Sequence, residues 1–124
     1  MRKAVNAAII HDGKVLLVKK KNTWILPGGK PKENETDISC LFREMKEELP
    51  GMTIHNVLFS SMFIGATPHT GDQIKSFVYL VDADGSIKPS AEINDSGWFS
   101  SFNALEISGP TRKCISFLQK KGYL

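Results

Sequence analysis

The sequence has 124 residues, a length typical of one domain, and we expect a single domain over residues 1–124. Hydrophobic residues make up 41% of the chain and charged residues 23%, which excludes a disordered chain and a fibre. Sixteen Lys and Arg against thirteen Asp and Glu give a net charge of +3. This excess suits an anionic small-molecule ligand and is too small to indicate a nucleic-acid polymer as partner.

The amino-terminal segment does not indicate export. Two basic residues precede an apolar stretch, as in a signal peptide, but Asn6 interrupts the stretch and a turn at Asp12 ends it. No segment approaches the roughly 20 apolar residues that span a bilayer. The two cysteines, Cys40 and Cys114, cannot form a dense disulfide framework, which favours a reducing compartment. We therefore expect a cytoplasmic protein with no membrane partner.

Apolar runs rich in β-branched residues predict strands at residues 4–10, 15–18, 24–26, 57–64 and 74–81, with a late strand at 98–99. Asp12-Gly13 joins the first two strands and is typical of a two-residue hairpin. No regular element is expected to continue through residues 27–29, Pro-Gly-Gly. A loop is predicted at 67–72 and a turn at 82–85.

Two helices are predicted, at residues 37–49 and 110–121. In the first, apolar side chains at i, i+4, i+7 and i+11 form one stripe, which we expect to face the core: Ile38, Phe42, Met45 and Leu49. Pro50 ends this helix, because the residue before a proline is disfavoured in the helical region. Pro110 at the start and Gly122 after the end bound the second helix. One helix between strands predicts a compact α/β sandwich.

The first helix carries an acidic cluster. Glu44, Glu47 and Glu48 are spaced i, i+3, i+4, so their carboxylates lie on one side of the helix. A solvated acidic face is one interpretation, since exposed like-charge pairs cost only about 0.2–0.5 kcal/mol each. If the face is partly buried, each pair at ~6 Å costs about 3 kcal/mol at an effective dielectric near 20, and a cation is needed. Oxygen donors without a His or Cys cluster suit Mg²⁺ or Mn²⁺.

Residues 29–51 resemble the Nudix box, G-x5-E-x7-R-E-U-x-E-E-x-G-U, in which U is a bulky aliphatic residue. The matching positions are Gly29, Glu35, Arg43, Glu44, Met45, Glu47 and Glu48. Six strict identities in register are expected by chance at a frequency of roughly 10⁻⁵ in a chain of this size, so the motif is specific. The chain departs from the pattern at Pro50, where the family has glycine, and Gly51 follows one position later.

The resemblance implies a Nudix-type α/β/α sandwich with a mixed β-sheet and the box helix at about 37–49. Nudix enzymes hydrolyse a nucleoside diphosphate linked to another moiety, with water attacking a phosphorus and divalent cations assisting. Such phosphoryl transfer depends on charge neutralisation and positioning more than on covalent chemistry. The family therefore implies an enzyme that uses Mg²⁺ or Mn²⁺ on a nucleotide-type small molecule, as a monomer or a homodimer.

The resemblance also implies roles for individual residues. Arg43 is expected to orient the glutamates by ion pairing, with Glu35 as its structural partner. Glu92 lies in a loop six residues before Trp98, where many family members place a further acid, and it competes with Glu44 as the general base; its other interpretation is an exposed glutamate on a connector. The implied metal ligands are the Gly28 carbonyl, Glu44, Glu47 and Glu48.

The substrate is less clearly indicated. The short chain looks similar to the small nucleoside-triphosphate hydrolases, which favours a nucleoside triphosphate, including an oxidised one, cleaved to monophosphate and pyrophosphate. Pro68 lies sixteen residues after Met52, about where ADP-ribose-directed members have a proline, so ADP-ribose is the second candidate. A catalytically silent nucleotide-binding regulatory module is the third. Candidate substrate-binding residues are Gly29, Lys19, Lys21 and His69; for the two lysines a solvated turn is the alternative.

Overall fold

The computed structural model describes residues 1–67, 70–88, 90 and 92–124. In chain order its elements are β1 (Arg2–His11), β2 (Lys14–Lys20), β3 (Thr23–Ile25), β4 (Gly28–Gly29), α1 (Asp37–Glu48), β5 (Met52–Ala66), β6 (Gln73–Gly85), β7 (Asp95–Phe99) and α2 (Gly109–Lys120). Within these residues, neither helix has the length and apolar character needed to cross a membrane.

The strands form a mixed sheet. Its order is β3-β2-β1-β6-β5, with β4 added beside β1 and β7 beside β2. β1 and β6 are parallel, and the other pairs are antiparallel. β1 pairs with β4 through Val5 and Asn6 and with β2 only at its far end, through Ile10 and His11. The two-glycine strand β4 therefore occupies the part of the β1 edge that β2 leaves free.

The predicted hairpin between β1 and β2 is confirmed, since Asp12 and Gly13 both have positive φ, 51° and 73°. Two other expectations are wrong. Residues 28–29, where no regular element was expected to continue, pair with β1 as a short strand. Residues 82–85 form the end of β6 and not a turn, because β5 begins at Met52, earlier than predicted, and pairs with them. Long-range pairing overrides the turn-forming composition of this segment.

The two helices cover opposite faces of the strands. Alternate residues of β1 and β2 supply two separate cores, as the two-residue side-chain period of a strand requires. The core beneath α1 contains Val5, Ala7, Ile9, Leu16, Val18, Cys40, Leu41, Met45 and Leu49. The core beneath α2 contains Ala8, Val15, Leu17, Trp24, Leu26, Val78, Cys114, Ile115 and Leu118. The predicted α/β sandwich with a mixed sheet is thus confirmed.

The predicted buried stripe of α1 is partly wrong. Met45 and Leu49 are buried, but Ile38 and Phe42 are 42% and 47% exposed. The helix is rotated so that Cys40, Leu41 and Glu48 face inward instead. This rotation brings the acidic side of the helix against β4. The Glu48 carboxylate is therefore buried on the side of the helix where apolar side chains were expected.

The exit of α1 accommodates the departure from the box pattern at Pro50. Leu49 follows the last helical residue with φ −131° and ψ 62°, a conformation compatible with a following proline. Gly51 is required for a close approach, because a Cβ there would lie 2.2 Å from the Ser86 carbonyl oxygen. The glycine that follows the box helix thus allows the start of β5 to pack against the end of β6.

Candidate active site

The site begins with a glycine corner at β4. Gly28 has φ 143°, a conformation that side-chain-bearing residues rarely adopt, and a Cβ there would lie 2.1 Å from the Val5 carbonyl oxygen. A Cβ on Gly29 would lie 2.4 Å from Oε1 of Glu44. Both glycines are therefore needed: the first lets β4 pair with β1, and the second lets the Glu44 carboxylate lie directly against the backbone.

Glu48 is the most deeply buried acid of α1, with 2% of its side chain exposed. One carboxylate oxygen, Oε1, accepts a hydrogen bond from the Gly28 N–H at 3.3 Å. Burial raises the pKa of Glu48 to about 8; the Lys20 charge opposes this shift, and the nearby Glu44 carboxylate adds to it. The ionised form of Glu48 therefore depends on a cation close to it.

Lys20, at the end of β2, supplies a cation to this position. Its Nζ donates to Oε2 of Glu48 at 3.0 Å and to the Gly28 carbonyl oxygen at 3.2 Å. The two oxygen atoms come from different elements, a helix and a strand, and they converge on one ammonium group. The backbone carbonyl and the carboxylate are thus already arranged around a common positive charge.

Arg43 forms the second charged cluster of the site. Its Nε and one terminal nitrogen bind both oxygens of Glu35, at 2.7 and 2.9 Å, and the same nitrogen donates to the Lys30 carbonyl. The other terminal nitrogen donates to Glu44 at 2.9 Å and to Glu47 at 3.3 Å. The Arg43 hydrogen bonds lower the pKa of Glu35 to about 2. One guanidinium group therefore holds three carboxylates in place.

The three helical acids differ in exposure: Glu48 is buried, Glu44 is 12% exposed and Glu47 is 56% exposed. In the described part of the chain, no three His, Cys, Asp or Glu side chains already surround a common point. The donors nevertheless suit a hard dication such as Mg²⁺, since they are a carbonyl and carboxylates. The Lys20 ammonium marks the position where the Gly28 carbonyl and Glu48 both face a cation.

A cavity of about 290 Å³ lies next to the glycine corner, between β1, β6 and the start of α2. Its wall combines basic, hydroxyl-bearing and apolar groups: Arg2, Lys20, Lys30, Ser76, Ser108, Thr111, Ile25, Ile74 and Pro110. Gly28 and Gly29 form the side of this cavity that faces α1. A ligand in the cavity would thus lie beside the carboxylates and would be exposed to positive charge.

Several predicted residues are not brought to the cluster. The Lys19 ammonium lies over the ring of Trp24, and Lys21 is exposed in the turn after β2. Glu92 is exposed, and no hydrogen bond or ion pair joins it to the other described residues. Its loop does lie beside the end of β2, because Asn94 donates to the carbonyls of both lysines. His69, like Pro68, lies outside the described residues.

The residue that sequence analysis missed is Lys20. Lys19 and Lys21 were candidate substrate-binding residues, yet the lysine between them reaches the acidic helix. The alternation of side chains along a strand could have identified this residue. Leu16, Val18 and Lys20 share one face of β2, and the first two belong to the core beneath α1. That face leads to the box helix, whereas Lys19 belongs to the opposite face.

Comparison with known proteins agrees with this geometry. The NUDIX domain family model matches residues 1–113. A MutT NUDIX hydrolase from Burkholderia pseudomallei shares 26% identity over 93% of this chain and 95% of that chain, with a TM-score of 0.81. A putative nudix hydrolase family member from Chromobacterium violaceum shares 26% identity over 97% and 77% of the two chains, with a TM-score of 0.77. No curated protein matches the chain in sequence.

More distant neighbours show the fold alone. An ADP-ribose pyrophosphatase from Streptococcus suis has a TM-score of 0.69 at 22% identity, over 99% of this chain and 92% of that one. The fold and the box residues around the glycine corner define a Nudix hydrolase, an enzyme of the pyrophosphohydrolase class. The chain belongs to the NUDIX domain family, as its box had indicated. Nudix hydrolases are generally dependent on divalent metals.

Proposed function

We propose that this protein is a Mg²⁺- or Mn²⁺-dependent hydrolase that cleaves a nucleoside triphosphate to the monophosphate and pyrophosphate. The observation that carries the proposal is the convergence of the Gly28 carbonyl and the Glu48 carboxylate on one cation position, beside a cavity with basic walls. Repulsion among three carboxylates on one helix face raises the free energy of the folded protein unless a cation is present. One of the three, Glu48, is almost fully buried here.

The oxygens of Gly28 and Glu48 would hold the metal, with Glu47 at the exposed margin and Glu44 left free to act as a base. When bound, the metal neutralises charge on the phosphate oxygens and makes a coordinated water more acidic. Arg43 keeps Glu44 and Glu47 in fixed orientations, and the bidentate pair with Glu35 in turn holds Arg43. The protein thus contributes mainly positioning and electrostatics, which is what phosphoryl transfer requires.

We assign the general base to Glu44 in preference to Glu92. Glu44 lies against Gly29 at the corner, next to the cavity, and it is close enough to Glu48 to affect the pKa of that residue. Glu92 is exposed in a loop. A base must lie within hydrogen-bond reach of the attacking water, and the described geometry favours the acid beside the corner.

The cavity beside the glycine corner is the proposed nucleotide site. At about 290 Å³ it is at the small end of the range for ligand sites, roughly 300–1,000 Å³. In the proposed function the nucleoside enters this cavity with its phosphates toward the glycine corner, where Lys20 and Lys30 line the wall.

An assay panel tests the proposal. Purified protein is incubated with nucleoside triphosphates, including oxidised ones, and with ADP-ribose, in Mg²⁺, in Mn²⁺ and in excess chelator. We expect monophosphate and pyrophosphate, and no turnover in chelator. AMP with ribose 5-phosphate would indicate ADP-ribose as the substrate. Turnover that persists in chelator would contradict the metal role, and the absence of hydrolysis on every diphosphate would favour a silent regulatory module.

We also propose that the protein works in a reducing compartment, the cytoplasm. Cys40 and Cys114 are both free and buried, on opposite sides of the sheet. Burial raises the pKa of the Cys114 thiol to about 12 and that of Cys40 to about 11. Both thiols are thus kept protonated and unreactive, which agrees with a packing role.

A further inference from the structure

Lys20 contacts the same oxygens that the proposed function assigns to the metal. We propose that Lys20 is a tethered cation, which occupies the metal position in the metal-free protein and is displaced from it when the metal binds. This inference rests on the proposed metal site, and it adds a built-in competitor that adjusts how tightly the metal is held.

The geometry makes the metal and the ammonium compete for the same two oxygens. Nζ of Lys20 lies 3.2 Å from the Gly28 carbonyl oxygen and 3.0 Å from Oε2 of Glu48. A Mg²⁺ ion requires its ligands at about 2.0–2.1 Å in an octahedral arrangement. An ion bound to both oxygens would lie almost where the ammonium is, and two cations at that separation repel strongly. One of the two cations must leave.

Glu48 explains why a tethered cation is useful. The side chain is 2% exposed, so water cannot compensate its charge when the metal is absent. Its other oxygen, Oε1, is held by the Gly28 N–H at 3.3 Å. The lysine therefore keeps the helix and the glycine corner joined in the metal-free protein, and it preserves the spacing of the two oxygens that the metal later uses.

Lys20 also has a place to move. Its side chain is 24% exposed, it is the last residue of β2, and it lines the cavity beside the corner. Rotation about its own side-chain bonds would carry the ammonium from the carboxylate into the cavity without moving the strand. Arg43 differs in this respect, because its guanidinium is bound to three carboxylates and a carbonyl at once.

The test follows the Lys20 ammonium directly. Protein labelled with ¹⁵N at the lysine Nζ is titrated with Mg²⁺ and observed by NMR, while Mg²⁺ binding is measured separately by calorimetry. A hydrogen-bonded, partly buried ammonium exchanges its protons slowly and gives a distinct signal. We expect one such signal in the metal-free protein that is absent from Lys20→Met and present in Lys14→Met, an exposed lysine of the same strand. Mg²⁺ should abolish it in parallel with binding.

The variants provide a second measurement. Mg²⁺ affinities are measured from about pH 7 to 9 and corrected for proton binding by Glu48, because the pKa of this carboxyl rises further without the Lys20 charge. After this correction we expect Lys20→Met to bind Mg²⁺ about tenfold more tightly than the original protein, a change equal to one charged hydrogen bond. Lys14→Met should stay within about twofold. A Lys20 signal that persists at Mg²⁺ saturation, or weaker binding by Lys20→Met, would overturn the displacement and leave the metal-dependent function standing. Absence of metal binding and of metal-dependent turnover with both Mg²⁺ and Mn²⁺ would instead overturn the proposed function, and the displacement with it.

Discussion

The two cations at the box helix hold carboxylates in contrasting ways. Arg43 binds three carboxylates with several hydrogen bonds at the partly exposed side of α1. Lys20 binds one buried carboxylate and one carbonyl from a different strand. The guanidinium is a planar, multidentate and permanent support, whereas the ammonium is a single charge on a flexible chain. The Arg43 cluster is thus the part of the site that stays fixed, and the Lys20 position is the part where one cation can replace another.

The largest effect is expected where the buried carboxylate itself is changed. Glu48→Gln keeps the shape of the side chain but removes the charge that would hold the metal. We expect kcat to fall by about 10³ or more, with the fold preserved by circular dichroism. Glu106→Gln, an exposed glutamate before α2, is the matched control. Near-normal turnover of Glu48→Gln would place the metal elsewhere.

The next largest effect concerns the glycine corner. In Gly29→Ala the new Cβ would overlap the Glu44 carboxylate, so this acid must shift away from the corner. We expect kcat/KM to fall about 100-fold, because displacement of a reacting group by an ångström has costs of this size. Gly109→Ala is the control, since its Cβ would meet Ala66 at an ordinary 3.6 Å. Equal kinetics of the two variants would show that Glu44 does not need its present position.

A smaller effect is expected when Arg43, which holds three carboxylates, is changed. Arg43→Lys retains the charge but loses the planar fork, so Glu35 and Glu47 cannot both remain bound. We expect about a tenfold loss of kcat/KM and a stability loss of about 1–2 kcal/mol in urea unfolding. If Arg43→Lys matched the original protein in both measurements, the multidentate geometry would be irrelevant.

The smallest effect on turnover is expected from pH, which acts on the stability of the metal-free protein. Glu48 binds a proton more tightly in the folded protein, where its pKa is about 8, than in the unfolded chain, where it is near 4.5. The stability of the metal-free protein should therefore fall as pH rises from about 5 to 8, which is measured as a falling Tm. Glu35 acts in the opposite sense: its pKa of about 2 gives stability above 4.5 that is lost in acid. In Glu48→Gln the decline from pH 5 to 8 should disappear.

Local patterns in the chain were sufficient for much of this molecule. The Asp12-Gly13 hairpin, the helix from Asp37 and its end before Pro50 depend on backbone preferences of a few neighbouring residues. The spacing of the box glutamates likewise predicts one acidic helix face, and the resemblance that it carries gave the family correctly. These features need no knowledge of distant segments.

The tertiary structure alone decided which side of the helix is buried. Apolar periodicity favoured Ile38 and Phe42, but the structure buries Glu48 instead, where Lys20 and the Gly28 amide oppose part of the cost of its desolvation. These partners lie 28 and 20 residues away in sequence, so no local pattern contains them. Desolvation depends on the assembled protein. Only the fold shows which carboxylate is buried away from water and which cation lies beside it.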